Sequence, residues 1–290
     1  MGSIWELDFY SRPILDENQK KVWEVLVCES PLDTRTQTDS LFRYAQFCPS
    51  TQVNSTWLRM ALQEAITKAG KAPRQFRFFR RQMNNMIAKA CEELGIPAQP
   101  SRRTIALFHW LQQRTEEVYP NQPGYQPSTN PSVHYEPSIS QRLPDAITGQ
   151  QWAFVNLEAA AFEEMHEWDI GFGEAFPLQM IRGIVPETKV PGLVIFSPRA
   201  VPLAGWMSGL ELAFLQFNNS SSGGARLCLE SGINDNWILA SLKNQQTLAE
   251  AKAFEEAKQK ASGVHFLAVQ SSPEAESFAG FWLLQEINLP

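Results

Sequence analysis

Between Lys71 and Arg114 the chain carries nine lysines and arginines against two acids, Glu92 and Glu93. Within that stretch Arg74, Arg77, Arg80 and Arg81 interleave with Phe76, Phe78 and Phe79, and Arg102, Arg103 and Arg114 follow. A guanidinium can meet a phosphate through two parallel hydrogen bonds, and an aromatic ring offers a face on which an unpaired base stacks. This mixture points to single-stranded nucleic acid. The candidate contacts are Arg74, Arg77, Arg80, Arg81, Arg102 and Arg103, with Phe79 as the stacking ring. A plainer alternative stands beside it: phenylalanines in a core and arginines on a solvated face leave the same pattern.

A second chemistry is phosphodiester cleavage by two metal ions, which needs three or four carboxylates from different elements. Asp8, Glu64, Glu116 and Glu117 are the acids available for it. The end of the strand expected at Phe76–Phe79 is where a further acid is required, and Arg80, Arg81 and Gln82 stand there instead. Two guanidiniums repel a metal cluster, so no enzyme activity is expected, and the plain role of Asp8 is a polar residue satisfied near a hairpin. The phosphate-cradling and nucleophile motifs GxxxxGK[ST], GxGxxG and GxSxG are absent. His166 among Glu163, Glu164, Glu167 and Asp169 reads as a solvated acidic helix. Cys28, Cys48, Cys91 and Cys228 form no CxxC pair and read as buried reduced thiols. No catalytic residue, metal site or cofactor is assigned.

The elements that must position these residues follow from periodicity. Ile4–Arg12 and Lys21–Glu29 alternate as strands around a polar turn at Leu15–Asn18, and Leu41–Cys48 is a third strand. Asn54 or Ser55 caps a helix running to Ala69, with Gly70 as its stop. Phe76–Phe79 is a strand, Met83–Leu94 a helix, Ile96–Ser101 a short extended piece and Thr104–Glu117 a helix. An antiparallel meander followed by strand–helix alternation implies a mixed sheet, and that order resembles an RNase H-like domain. Pro120, Pro123, Pro127, Pro131, Pro137 and Pro144 mark residues 119–150 as an extended, mobile linker. Beyond it Trp152–Leu157, Leu193–Phe196, Leu210–Phe217, Ala225–Leu229, Trp237–Leu242, Val264–Gln270 and Phe278–Gln285 read as strands. Ser220–Gly224 reads as a turn and Thr247–Ala261 as a helix. Leu210–Gln270 repeats the opening order of three strands, helix and strand, which suggests a degenerate repeat.

The expected architecture is therefore mixed α/β in two domains, 1–118 and 151–290, joined by the linker 119–150. Hydrophobic residues at 43% of 290 positions suffice for cores of that size. Residues 1–150 hold 17 Lys and Arg against 15 Asp and Glu, while residues 151–290 hold 8 against 16. An acidic protein with one basic stretch binds polyanions locally. No apolar run approaches a membrane span, and no secretory or transit segment precedes Ile4, so a cytoplasmic location is expected.

Several long motifs are similar to one family. They are WELDFYSRP (5–13), KKVWEVLVCE (20–29), FRYAQFCP (42–49), FRFFRRQM (76–83), PSRRT (100–104), PGLVIFSPRAVPLAGWMSG (191–209) and GFWLL (280–284). On these the chain resembles the TAB-type factors of chloroplasts and cyanobacteria. The resemblance implies binding to A/U-rich RNA and a role in photosystem I synthesis, where chloroplast members act on the PsaB message. It brings no catalytic residues. The implied protein is a cyanobacterial, cytoplasmic RNA-binding factor. Its second domain serves a protein partner or self-association as a homo-oligomer. The alternatives are an RNase H-like nuclease using Asp8 and a photosystem assembly factor that binds protein.

Overall fold

The computed structural model describes residues 2–127, 140–144, 151–220 and 224–289. The chain divides into two compact units, one made of Met1–Ser30, Thr38–His134 and Asn288–Pro290, the other of Pro31–Gln37 and Tyr135–Ile287.

In the first unit β1 (Ile4–Leu15) and β2 (Lys21–Glu29) form an antiparallel hairpin. Asp16 shapes its turn by accepting the backbone N–H groups of Asn18 and Lys20, both at 2.9 Å. β3 (Arg43–Cys48) adds antiparallel to β2. After α1 (Ser55–Ala69), β4 (Gln75–Phe78) returns parallel to β1; after α2 (Asn84–Glu92), β5 (Ala98–Pro100) lies parallel to β4. α3 (Ile105–Glu117) closes the series. The sheet order is β3-β2-β1-β4-β5. The mixed meander-plus-parallel sheet expected from the element order is what forms.

Side chains on a strand alternate between faces. Trp5, Leu7 and Phe9 of β1, Val25 and Val27 of β2, and Phe76 and Phe78 of β4 therefore share one face. They pack with Leu58, Ala61, Leu62 and Ala65 of α1 and with Ile87, Ala90 and Cys91 of α2. The other face carries Glu6, Asp8 and Arg12, which are buried too.

α1 begins and ends where capping chemistry places it. The Asn54 side chain accepts the Trp57 N–H at 2.8 Å, and Gly70 terminates the helix at φ 68°. Asn54→Ala is expected to destabilise the unit by about 1 kcal/mol, measured as a lower denaturant midpoint at unchanged slope. No change in midpoint would show that α1 is held by its packing alone.

The expected linker needs correcting at both ends. Tyr119 is buried, and Gln122–Gln126 runs back along β1: the Leu15 N–H donates to the Gly124 carbonyl at 2.8 Å and the Gln126 N–H to that of Pro13 at 2.9 Å. Gly124 sits at φ 77°, and a Cβ there would lie 2.1 Å from the Leu15 carbonyl oxygen. Proline and glycine, read as linker composition, here build a close turn. β6 (Gln141–Arg142) is a short strand of the second unit. The remaining linker expectation falls on residues 128–139 and 145–150, outside those described.

The described residues of the second unit form two sheets. β7 (Gln151–Glu158), β8 (Ile170–Glu174), β9 (Lys189–Phe196), β13 (Val264–Gln270) and β14 (Phe278–Gln285) form one in the order β7-β9-β13-β14-β8. β10 (Leu212–Ser220), β11 (Gly224–Ser231), β12 (Asp235–Leu242) and β6 form the other in the order β10-β11-β12-β6. α4 (Ala200–Ser208) and α5 (Gln245–Lys260) accompany them. This corrects the expected repeat. β13, the strand after the helix, pairs with β9 and β14 rather than joining the three strands before it, whereas β4 in the first unit pairs directly with β1. The turn expected at Ser220–Gly224 lies mostly outside the described residues. Periodicity missed α4 because its residues are apolar almost throughout and Pro202 and Gly205 read as breakers. Proline at the third helical position is tolerated, since no intrahelical acceptor exists for its nitrogen there. β8 (IGFGE) was hidden by its two glycines, yet a Cβ on Gly173 would stand 2.6 Å from the Phe281 carbonyl oxygen.

Candidate functional site

The charged face of the first unit is built from β1 outward. Asp8 lies on the central strand and is fully buried. One carboxylate oxygen accepts Arg80 Nε at 2.9 Å and the other faces Arg12 Nη1 at 2.9 Å. Arg12 in turn donates through Nε to Glu24 of β2 at 3.0 Å. Glu24 also receives Arg114 of α3 and, at 2.6 Å, the Tyr119 hydroxyl. Arg80, Asp8, Arg12, Glu24 and Arg114 thus form one chain of alternating charge. The Arg80 guanidinium lies 4.0 Å from the Tyr10 ring centroid and 4.7 Å from that of Phe79. Glu6 acts elsewhere on the same face, where its two oxygens accept the Ser30 hydroxyl and the Leu107 N–H, both at 2.7 Å. It thereby caps α3, to which Thr104 offers no side-chain cap, and places a carboxylate at the positive end of the helix.

Burial pushes the Asp8 carboxyl up, but the guanidiniums of Arg80 and Arg12 outweigh it and hold the group below its ordinary value of 3.8. Burial likewise pulls Arg12 down, and Asp8, with Tyr119 and Glu24, more than reverses it, leaving the guanidinium firmly charged. A buried charge is tolerated only when paired and hydrogen-bonded. Each carboxylate and guanidinium of the network faces an opposite charge, while Asp8 Oδ2, Arg12 Nη2 and Arg114 Nε are buried without a hydrogen bond among the described residues.

The structure separates the candidate contacts into two groups. Arg74, just before β4, and Arg81, just after it, are exposed. Arg77, Arg80 and Arg103 are about 4% exposed and Arg102 is 9% exposed. Phe79 is wholly buried, which corrects its expected role: no base can stack on a ring without an open face. The reason is local, since Phe79 follows directly on the buried strand β4 and lies against Arg80.

The carboxylates considered for metal chemistry do not converge. Glu64 is exposed on α1, paired with Lys68 at 2.8 Å, and α1 packs on the face opposite Asp8. Glu116 and Glu117 are exposed. Asp8 itself is occupied by two arginines. Sequence reasoning missed Arg12, Glu24 and Tyr119. Only the strand alternation of Asp8, Tyr10 and Arg12 signalled that Arg12 shares a face with Asp8. The four cysteines are free and buried, and His166 is exposed as expected.

These features describe a two-unit α/β protein whose first unit organises arginines around a central strand and displays two of them at its surface. Family models identify it further: one for the N-terminal region of the RNA-binding protein Tab2/Atab2 matches residues 4–114, and one for its C-terminal domain matches residues 130–285. The chain belongs to the Tab2/Atab2 family of RNA-binding proteins. Among its relatives is a protein from Zea mays described as "Protein TAB2 homolog, chloroplastic", 37% identical over 292 aligned residues that cover 99% of this chain and 72% of the relative. The protein of the same description from Arabidopsis thaliana is 39% identical, with coverage of 99% and 75%. A simian T-cell lymphotropic virus intasome in complex with the PP2A regulatory subunit B56 gamma also matches, with a TM-score of 0.25 and 15% identity over 42% of this chain and 44% of the other. No described helix is long and apolar enough to cross a membrane.

Proposed function

We propose that this protein binds single-stranded, A/U-rich RNA through its first unit and thereby supports translation or biogenesis of photosystem I. The observation that carries the reading is the division of the basic segment. Its interior arginines are fixed in the folded unit, Arg80 by Asp8, while Arg74, Arg81 and Lys89 reach solvent. Arg74 and Arg81 flank β4 and Lys89 lies on α2, so the fold fixes the backbone from which these exposed cations meet phosphates. Arg77, Arg80, Arg102 and Arg103 of the same basic segment are buried and are read as structural. The sheet order β3-β2-β1-β4-β5 supports an RNase H-like reading of this unit. In that reading arginines occupy the place where a nuclease holds metal, so no catalysis is assigned. The acidic second unit is read as the surface for a protein partner or a second copy. A/U preference and the photosystem I target rest on the sequence resemblance to TAB-type factors.

The test is fluorescence anisotropy with an unstructured A/U-rich RNA, a G/C-rich control and the matching duplex. Single-stranded A/U-rich RNA is expected to bind most tightly. The slope of log K against log salt should be about −0.7 for each phosphate neutralised. The RNA should remain intact in magnesium or manganese. Affinity independent of salt, or no binding, overturns the reading. Metal-dependent cleavage lost in Asp8→Asn, with the fold retained, restores the nuclease.

A further inference from the structure

At the hairpin end of the first unit lies an open cleft of about 510 Å³, within the size range of small-ligand sites. Ile14 and Val22, Phe47 of β3 and three glutamines, Gln19, Gln122 and Gln126, are among the residues that line it. Phe47 is 38% exposed and borders the cleft. We infer that this cleft is a nucleobase pocket, in which an unpaired base of bound RNA lies against Phe47 and is read on its edge by the glutamine amides. The inference rests on the RNA-binding reading and adds a subsite to it, distinct from the arginines around β4.

The chemistry of the lining selects this occupant. A base is flat and neutral, apolar on its faces, with alternating donors and acceptors on its rim. An aromatic wall suits the faces, and a carboxamide, which both donates and accepts, suits the rim. Two acids also border the cleft, Asp16 and Glu17. Asp16 is already engaged by the N–H groups of Asn18 and Lys20 and by the Ser50 hydroxyl, so of the two Glu17 keeps the uncommitted carboxylate. Lys20 and Lys21 are exposed on the same hairpin and offset it where the nucleotide's phosphate emerges. The pocket is preformed. Gly124 and Gln126 are tied to Leu15 and Pro13 by backbone hydrogen bonds, so the wall carrying Gln122 need not be ordered on binding.

The probe is a single-stranded A/U-rich 12-mer, together with a series carrying one abasic site at successive positions. Phe47→Ala should weaken binding of the intact RNA roughly 5- to 150-fold, the range for one lost base–aromatic stack, with the salt slope unchanged because no phosphate contact is removed. One abasic position should lose about as much, and Phe47→Ala should then cost that RNA nothing more. Phe47→Trp should bind at least as well as the parent, which separates stacking from misfolding. Photocrosslinking with 4-thiouridine RNA should give adducts within 14–22, 47 or 122–126. If the parent protein binds RNA while Phe47→Ala binds equally well, or adducts map only elsewhere, the pocket is overturned and RNA binding survives. If Phe47→Ala is folded, keeps its RNA affinity and loses a polypeptide partner, the cleft is a protein site. If the parent binds no RNA, the underlying reading has failed first.

Discussion

Asp8→Asn is expected to destabilise the first unit by about 3–5 kcal/mol, the usual consequence of removing one partner from a buried ion pair. Asparagine keeps the shape of aspartate but not its charge. Arg80 and Arg12 would then both lose the carboxylate that lies between them in a buried site, while Glu24 continues to serve Arg12 and Arg114. Chemical denaturation should show the loss directly. The same linkage appears as a pH dependence. The folded carboxyl titrates below its ordinary value of 3.8, so its contribution is complete above that value and is lost as pH falls through the lower, folded value. The parent unit should therefore lose stability steeply below about pH 4, and Asp8→Asn should flatten that limb. A variant as stable as the parent at pH 7 would show that the arginines reach solvent when their partner is lost, and that the network is not a condition of folding.

Arg74→Ala combined with Arg81→Ala should give the opposite pattern: intact stability and a large loss of RNA affinity. Both side chains are exposed, and such substitutions usually stay within about 0.5 kcal/mol each. A hydrogen bond to a charged group contributes about 1.5 kcal/mol or more, so losing two should weaken binding about a hundredfold. The salt slope should fall by about 1.4, from two phosphates at about 0.7 each. Arg80→Ala is the control, because its guanidinium serves Asp8 and its loss should appear first as instability. If the exposed pair can be removed without loss of affinity while the folded Arg80 variant fails to bind, the contact surface lies over the buried network instead.

In β1 the alternation of Trp5, Leu7 and Phe9 with Glu6, Asp8 and Arg12 announced a strand with two unlike faces, because side chains alternate whatever covers them. The boundaries of α1 were equally plain, since Asn54 and Gly70 act on their own neighbouring backbone. Alternation reads as one buried and one solvated face, however, and here both are buried. What covers the polar face comes from distant sequence: Arg80 lies 72 residues from Asp8, and Tyr119 lies 95 from Glu24. No local pattern encodes those pairings.

The seven contact candidates divide for the same reason. Composition identified a basic segment correctly, because charge counts do not depend on folding. Which arginines reach solvent depends on the direction in which β4 and the turns around it present them. Arg74 and Arg81 flank the strand and emerge; Arg77 lies within it and Arg80 turns inward to Asp8. By itself the sequence determined the family, the mixed α/β character, the helix caps and the concentration of positive charge, all properties of local pattern and residue type. Only the tertiary structure decided that Asp8 is held by Arg80 and Arg12, that Phe79 is core, that residues 119–126 belong to the first unit and that β13 joins a different sheet from β10–β12. Except for Phe79, whose burial follows from its place beside β4, those outcomes are set by contacts between residues far apart in the chain, where a buried charge must find an opposite partner.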